Sequence, residues 1–172
     1  MTTSLHDLCV PGYLQTLGAV AAFLDKGLAW CKERGVDAES IVEAKLADDM
    51  LPFRFQIVSV THHSLGAVNG VKAGQFEPPG ASTADYAGLQ KLVADTIAAL
   101  KATTPAELNA CAGKDMVFLL RGNKIPFTAE GFIQSFSLPN FYFHATTAYD
   151  ILRSKGAPLG KRDFLGQMRM KS

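Results

Sequence analysis

Cysteine is scarce: only Cys9, Cys31 and Cys111 occur, an odd number at wide, unequal spacing with no C-x-x-C. That argues against a disulfide framework or a thiolate metal site, and buried, reduced thiols in a cytoplasmic protein are expected. An excess of charge of one sign is lacking too. Lys plus Arg number 17 against 16 Asp plus Glu, a formal net charge of +1. Nucleic acid and anionic membranes both demand a concentrated basic surface, so neither is an expected partner. Lys161, Arg162, Arg169 and Lys171 are too sparse to change this and read as a solvated, irregular tail. The N-terminal residues show no basic stretch followed by an apolar run, so no secretory signal is expected. Apolar stretches are broken by Gly, Asp and Lys well short of the ~20 residues a bilayer requires, so no membrane span is expected. The glycine-rich phosphate loops, H-E-x-x-H and G-x-S-x-G are all missing.

What is present is a globular composition. Apolar residues make up 48% and charged residues 19% of 172 positions, which fits one domain over residues 1–172 and not a disordered chain. Leu14, Leu17, Ala21, Leu24, Leu28 and Cys31 recur at steps of 3 and 4, predicting a helix from about Pro11 to Arg34 that Gly35 stops. A short connecting helix is expected over 37–45. A second long helix begins near Leu51-Pro52 with the stripe Leu51, Phe55, Val58, His62, Leu65, and ends near Gly70 or Gly74. After a Pro/Gly-rich loop over 75–81, Tyr86, Leu89, Val93, Thr96 and Leu100 predict a third. Thr104-Pro105-Ala106-Glu107 is a capping box opening a short turn of helix.

Residues 116–127 read as a hairpin, two short strands about a turn at Gly122-Asn123. A last helix starts after Thr128, is disturbed at Pro139 and runs to Ser154 before Gly156. The expectation is an all-α fold, a four-helix bundle with a small β-hairpin before the last helix.

Polar residues on the apolar stripes are the only clues to chemistry. His62 lies on the second helix's stripe and His63 about 100° away. On the last helix Asn140 and His144, four residues apart, share a face with Thr147. Imidazoles converging from facing helices are how a bundle builds a metal site. A lone histidine on an apolar face is more often a hydrogen-bonded core residue, and Asn140 can serve backbone freed by Pro139. His6 reads as exposed, and Cys9 beside it lacks the third group a nucleophilic dyad needs.

The run LPNFYFH at 138–144, TAYDILR at 147–153 and LGKRDFLG at 159–166, together with Leu51-Pro52-Phe53 and Gln56, resembles a bacterial family of unknown function. That family is grouped with the DinB/YfiT-like superfamily of metal-dependent four-helix bundles. The resemblance spans most of the chain. It implies a helical bundle, often a homodimer. Better-understood members hold a divalent metal with one histidine from the second helix and an H-x-x-x-H pair from the last. His144 matches the second member of that pair, Asn140 stands where the first would be, and His62 or His63 would supply the remaining ligand.

Two readings follow. In one, the chain is a metal-free bundle with a small-ligand-binding or interaction role. Asn140, His144 and Thr147 are then buried hydrogen-bond partners beside an apolar pocket of Phe136, Phe141, Phe143 and Tyr149. In the other, it is a metal-dependent hydrolase or thiol transferase with Zn²⁺ or Ni²⁺ on His62 or His63, His144 and Asn140. The missing third histidine favours the first.

Overall fold

The computed structural model describes residues 3–171. Among them lie seven helices and three short strands: α1 (Leu5–Arg34), α2 (Ala38–Val42), α3 (53–73), β1 (Gln75–Phe76), α4 (Tyr86–Ala102), α5 (Pro105–Asn109), β2 (Asp115–Leu120), β3 (Asn123–Thr128), α6 (129–154) and α7 (Lys161–Leu165). The fold is mostly helical with a small sheet, and its helices number seven, not four. The long ones, α1, α3, α4 and α6, enclose the core. Helix α3 packs on α4 and α6, and α1 closes the ring against the same two.

Helix α1 begins six residues earlier than its periodicity predicts. Ser4 Oγ accepts from the Asp7 amide at 3.2 Å while the Asp7 carboxylate takes the Ser4 amide at 3.4 Å, a reciprocal N-terminal cap. Pro11 therefore sits inside the helix, its missing N–H leaving one carbonyl of the first turn without its helical donor. The buried stripe runs through Tyr13, Leu17, Val20, Leu24, Gly27 and Cys31. Gly27 is a point of close approach: a Cβ there would lie 2.7 Å from the Tyr86 hydroxyl and 2.9 Å from Leu152. By length and hydropathy alone α1 is apolar enough to cross a membrane, yet half of that apolar window is buried inside the protein.

The stripe of α4 is the one its spacing predicts, with Tyr86, Leu89, Val93, Thr96 and Leu100 all buried. That of α3 is rotated. Leu51 precedes the helix and is exposed, and the interior receives Phe53, Gln56, Ile57, Val60 and His63. Residues 62–66 form a π-helical turn within α3, and 133–137 form another within α6. The second lies immediately before Pro139, and the wider turn lets α6 continue past a residue that lacks an N–H.

The predicted hairpin is present as β2 and β3, paired from Asp115↔Thr128 to Leu120↔Asn123. Its turn falls one residue earlier than expected, on Arg121 (φ 50°) and Gly122 (φ 82°), both in the left-handed region that a tight two-residue turn requires. Strand β1, expected as loop, adds to β2 in parallel. The expected irregular tail contains α7, whose Asp163 carboxylate accepts the Gly160 amide at 2.8 Å.

Candidate functional site

Where α3 and α6 run side by side, their two π-helical turns meet. A π-turn is rare and frequently marks a functional site, because it displaces carbonyls and side chains from the ordinary helical register. The Ser137 hydroxyl, from the turn in α6, donates to the His63 carbonyl in α3 at 2.7 Å. Having one proton, Ser137 must then accept from the Tyr13 hydroxyl, 2.8 Å away. This chain of bonds ties α1, α6 and α3 together in the interior, where burial pushes the Tyr13 phenol far above its ordinary range.

His63, not His62, faces inward. It is buried between Phe76 and Phe136, each with its ring centre 5.5 Å away, and its Nδ1 has no hydrogen-bond partner. The ring of His144 lies 5.8 Å from that of His63 with the planes only 14° apart. Gln56 reaches across from α3 to His144: its Nε2 donates to the Leu51 carbonyl at 2.8 Å, which turns Oε1 toward His144 Nδ1 at 2.7 Å. The amide so oriented assigns the proton of His144 to Nδ1 and leaves Nε2 with a free lone pair. Phe55 and Phe143 pack edge-on against the same imidazole.

Burial keeps these imidazoles neutral. Desolvation, with smaller contributions from His144 and His62, brings His63 down to about 3, and desolvation brings His144 down to about 4. Burial also lowers His62, partly offset by its bond to Glu77. At neutral pH the pair thus offers hydrogen-bonding nitrogens without charge.

The remaining predicted residues are placed elsewhere. His62 turns outward, its Nε2 2.6 Å from the Glu77 carbonyl, on the wall of a cleft of about 590 Å³ between α3 and the 75–82 loop. Asn140 donates through Nδ2 to the Phe136 carbonyl at 2.7 Å, serving its own helix. Phe141, Thr147 and Tyr149 are all buried, each against its own partners. Phe141 is fully buried, edge-on to Tyr13 at 4.8 Å. Thr147 donates to the Phe143 carbonyl, and Tyr149 is buried with its hydroxyl accepting from Arg153. Phe136 belongs to an aromatic cluster with Phe76, Phe118 and Phe132.

A metal on these residues fails on donor count. Among the described residues no group of three His, Cys, Asp or Glu side chains is placed to hold an ion. Two imidazoles meet, whereas a catalytic zinc takes three protein ligands, and Asn140 and His62 are engaged by backbone. Cys9 is no nucleophile either: its thiol donates to the Leu5 carbonyl at 3.3 Å, and burial pushes it up to about 12. Of the residues that form the site, Gln56 entered the sequence reading only through the family resemblance, and Tyr13 and Ser137 not at all. Their signal was a polar group on a stripe otherwise buried.

Helices around an apolar core, a three-stranded appendage and a polar cluster between two facing helices define a class of helical proteins with an internal site. Within it, the chain belongs to a family described as a domain of unknown function, DUF1993, whose model matches residues 5–165. It is also similar to the crystal structure of a DinB family member from Shewanella denitrificans. Identity to that protein is 26%, the match covers 98% of this chain and 95% of that one, and the TM-score is 0.81. No curated protein gives a significant match.

Proposed function

We propose that this DinB-like protein is a metal-independent four-helix bundle, α1, α3, α4 and α6 being the four, that binds a small ligand at the His63–His144 pair. The observation that carries this reading is the 2.7 Å contact of Gln56 Oε1 with His144 Nδ1, which fixes the imidazole and frees its Nε2 as a neutral acceptor. Phe55 and Phe143 pack against that imidazole, so the ligand is an apolar molecule carrying an N–H or O–H donor. The three buried, free thiols suit a reducing compartment, and we assign the protein to the cytoplasm. Leu51, which precedes α3, and Phe143, packed on His144, are both exposed beside the Gln56–His144 bridge and are our candidate contact in a homodimer.

One observation favours the second reading, a metal-dependent hydrolase or thiol transferase. An imidazole held through one nitrogen by an amide oxygen, with the other bare, is also how a metal-binding histidine is oriented. Elemental analysis decides between them. Untagged protein is incubated with Zn²⁺ or Ni²⁺, desalted and measured. The expected outcome is far less than one metal per chain. A stoichiometric ion lost on His144→Ala would overturn the metal-independent reading.

A further inference from the structure

Residues 163–166 are held across α1, and the exposed residues 167–170 follow them along the same cleft. Gly166 packs so closely that a Cβ there would stand 3.1 Å from both the Ala19 side chain and the Gln15 carbonyl. Gln15 Nε2 donates to the Leu165 carbonyl at 2.9 Å, and Lys26 pairs with Asp163 at 2.6 Å. Fastened this way, the segment forms one wall of a cleft of about 1140 Å³. The end of α4 forms the opposite wall and the first half of α1 the floor.

Most of the cleft's lining is apolar, with Val10, Leu14, Ile97 and Met168 among it. On α1, Gly18 opens onto it with nothing within 4 Å of where a Cβ would stand. Its charges are mostly of one sign. Lys101, Arg162 and Arg169 line it, and among the described residues none of the three makes an ion pair. The carboxylate there, Asp163, is already engaged by Lys26 and the Gly160 amide. His6, expected to be exposed, lines the cleft with its Nδ1 3.7 Å from the Asp7 carboxylate.

An apolar trough bordered by uncompensated guanidinium and ammonium groups matches one ligand chemistry, an apolar chain ending in an anion. We propose that this cleft binds an amphipathic carboxylate, a monocarboxylic acid with an unbranched hydrocarbon chain. The volume accommodates such a molecule. The inference is independent of the His63–His144 site, since neither histidine lines the cleft.

The test is calorimetric titration of the full chain with decanoate below its micellar range, beside decyltrimethylammonium, which has the same chain but a cationic head without an N–H or O–H. Decanoate saturates one site per chain, and decyltrimethylammonium binds about tenfold or more weakly for want of the charge-assisted bonds. Arg162→Gln with Arg169→Gln weakens decanoate by about tenfold or more on the same grounds. Gly18→Phe fills the open space and abolishes binding while circular dichroism stays native; if that variant does not fold, the double arginine variant decides. His144→Ala leaves the affinity unchanged. Absence of saturation, equal affinity for decyltrimethylammonium, undiminished binding in folded Gly18→Phe or in the arginine variant, or loss of binding in His144→Ala overturns the proposal.

Discussion

His144 illustrates what one buried polar contact is worth. Replacing it with alanine leaves Gln56 Oε1 without its donor, a loss of roughly 1–3 kcal/mol for an unsatisfied buried group. The expected outcome for His144→Ala is that much lost stability in urea unfolding, with native helical content, and an unchanged midpoint would rule the contact out. The same imidazole makes stability pH-dependent. In the unfolded chain His63 and His144 take up protons as pH falls below about 6.5, while in the folded chain burial holds them to about 3 and 4. Between those limits the unfolded state binds more protons, so stability declines as pH falls, by about 2 kcal/mol per histidine at pH 5. Above pH 6.5 both states are neutral and the effect is absent. In His144→Gln the slope between pH 6.5 and 5 is expected to become shallower, with His63 and His62 supplying what remains. The sequence showed that a histidine would occupy the interior of this helix but not which: Leu51 lies outside the helix, so a stripe counted from it ran one step off and selected His62.

At the scale of the element, legibility followed periodicity. Helix α4 has five apolar or small residues at unbroken 3–4 spacing, and all five are buried. Strand β1, two residues long, is too short to have a period. The start of α1 was masked by Pro11, although Ser4 and Asp7 at cap spacing carried the signal. The π-turns leave no pattern in sequence beyond a proline two residues past one of them, since one extra residue per turn only shifts a stripe. Helix packing supplies its own test at Gly27. In Gly27→Ala the added methyl meets the Tyr86 hydroxyl, which donates to the Leu24 carbonyl at 2.8 Å. Overpacking costs about 1–3 kcal/mol and outweighs the gain of up to about 1 kcal/mol in helix propensity, so the unfolding temperature is expected to fall. A rise would show that α1 and α4 yield at this contact.

For the whole molecule, an all-helical core with a small β appendage was readable because its long segments are amphipathic and its turns carry Gly and Pro signals. Less readable was which polar groups meet, as that depends on the rotation of α3 and α6 about their axes. Self-association belongs to this scale. Phe143 is 57% and Leu51 52% exposed, unusual for apolar side chains of that size. Light scattering is expected to give twice the chain mass, and Phe143→Glu to give the monomer; a monomeric parent would dismiss this face as an interface. The bonded trio of Tyr13, Ser137 and His63 bears on kinetics. Its members stand 124 and 74 positions apart along the chain, so the trio forms only after two long loops have closed. We expect the trio to close only after the main folding barrier, so that its loss is read in the unfolding rate alone. Ser137→Ala is accordingly expected to quicken unfolding in stopped-flow chevrons while leaving the refolding arm nearly where it was, so that the trio sets how long the folded chain persists.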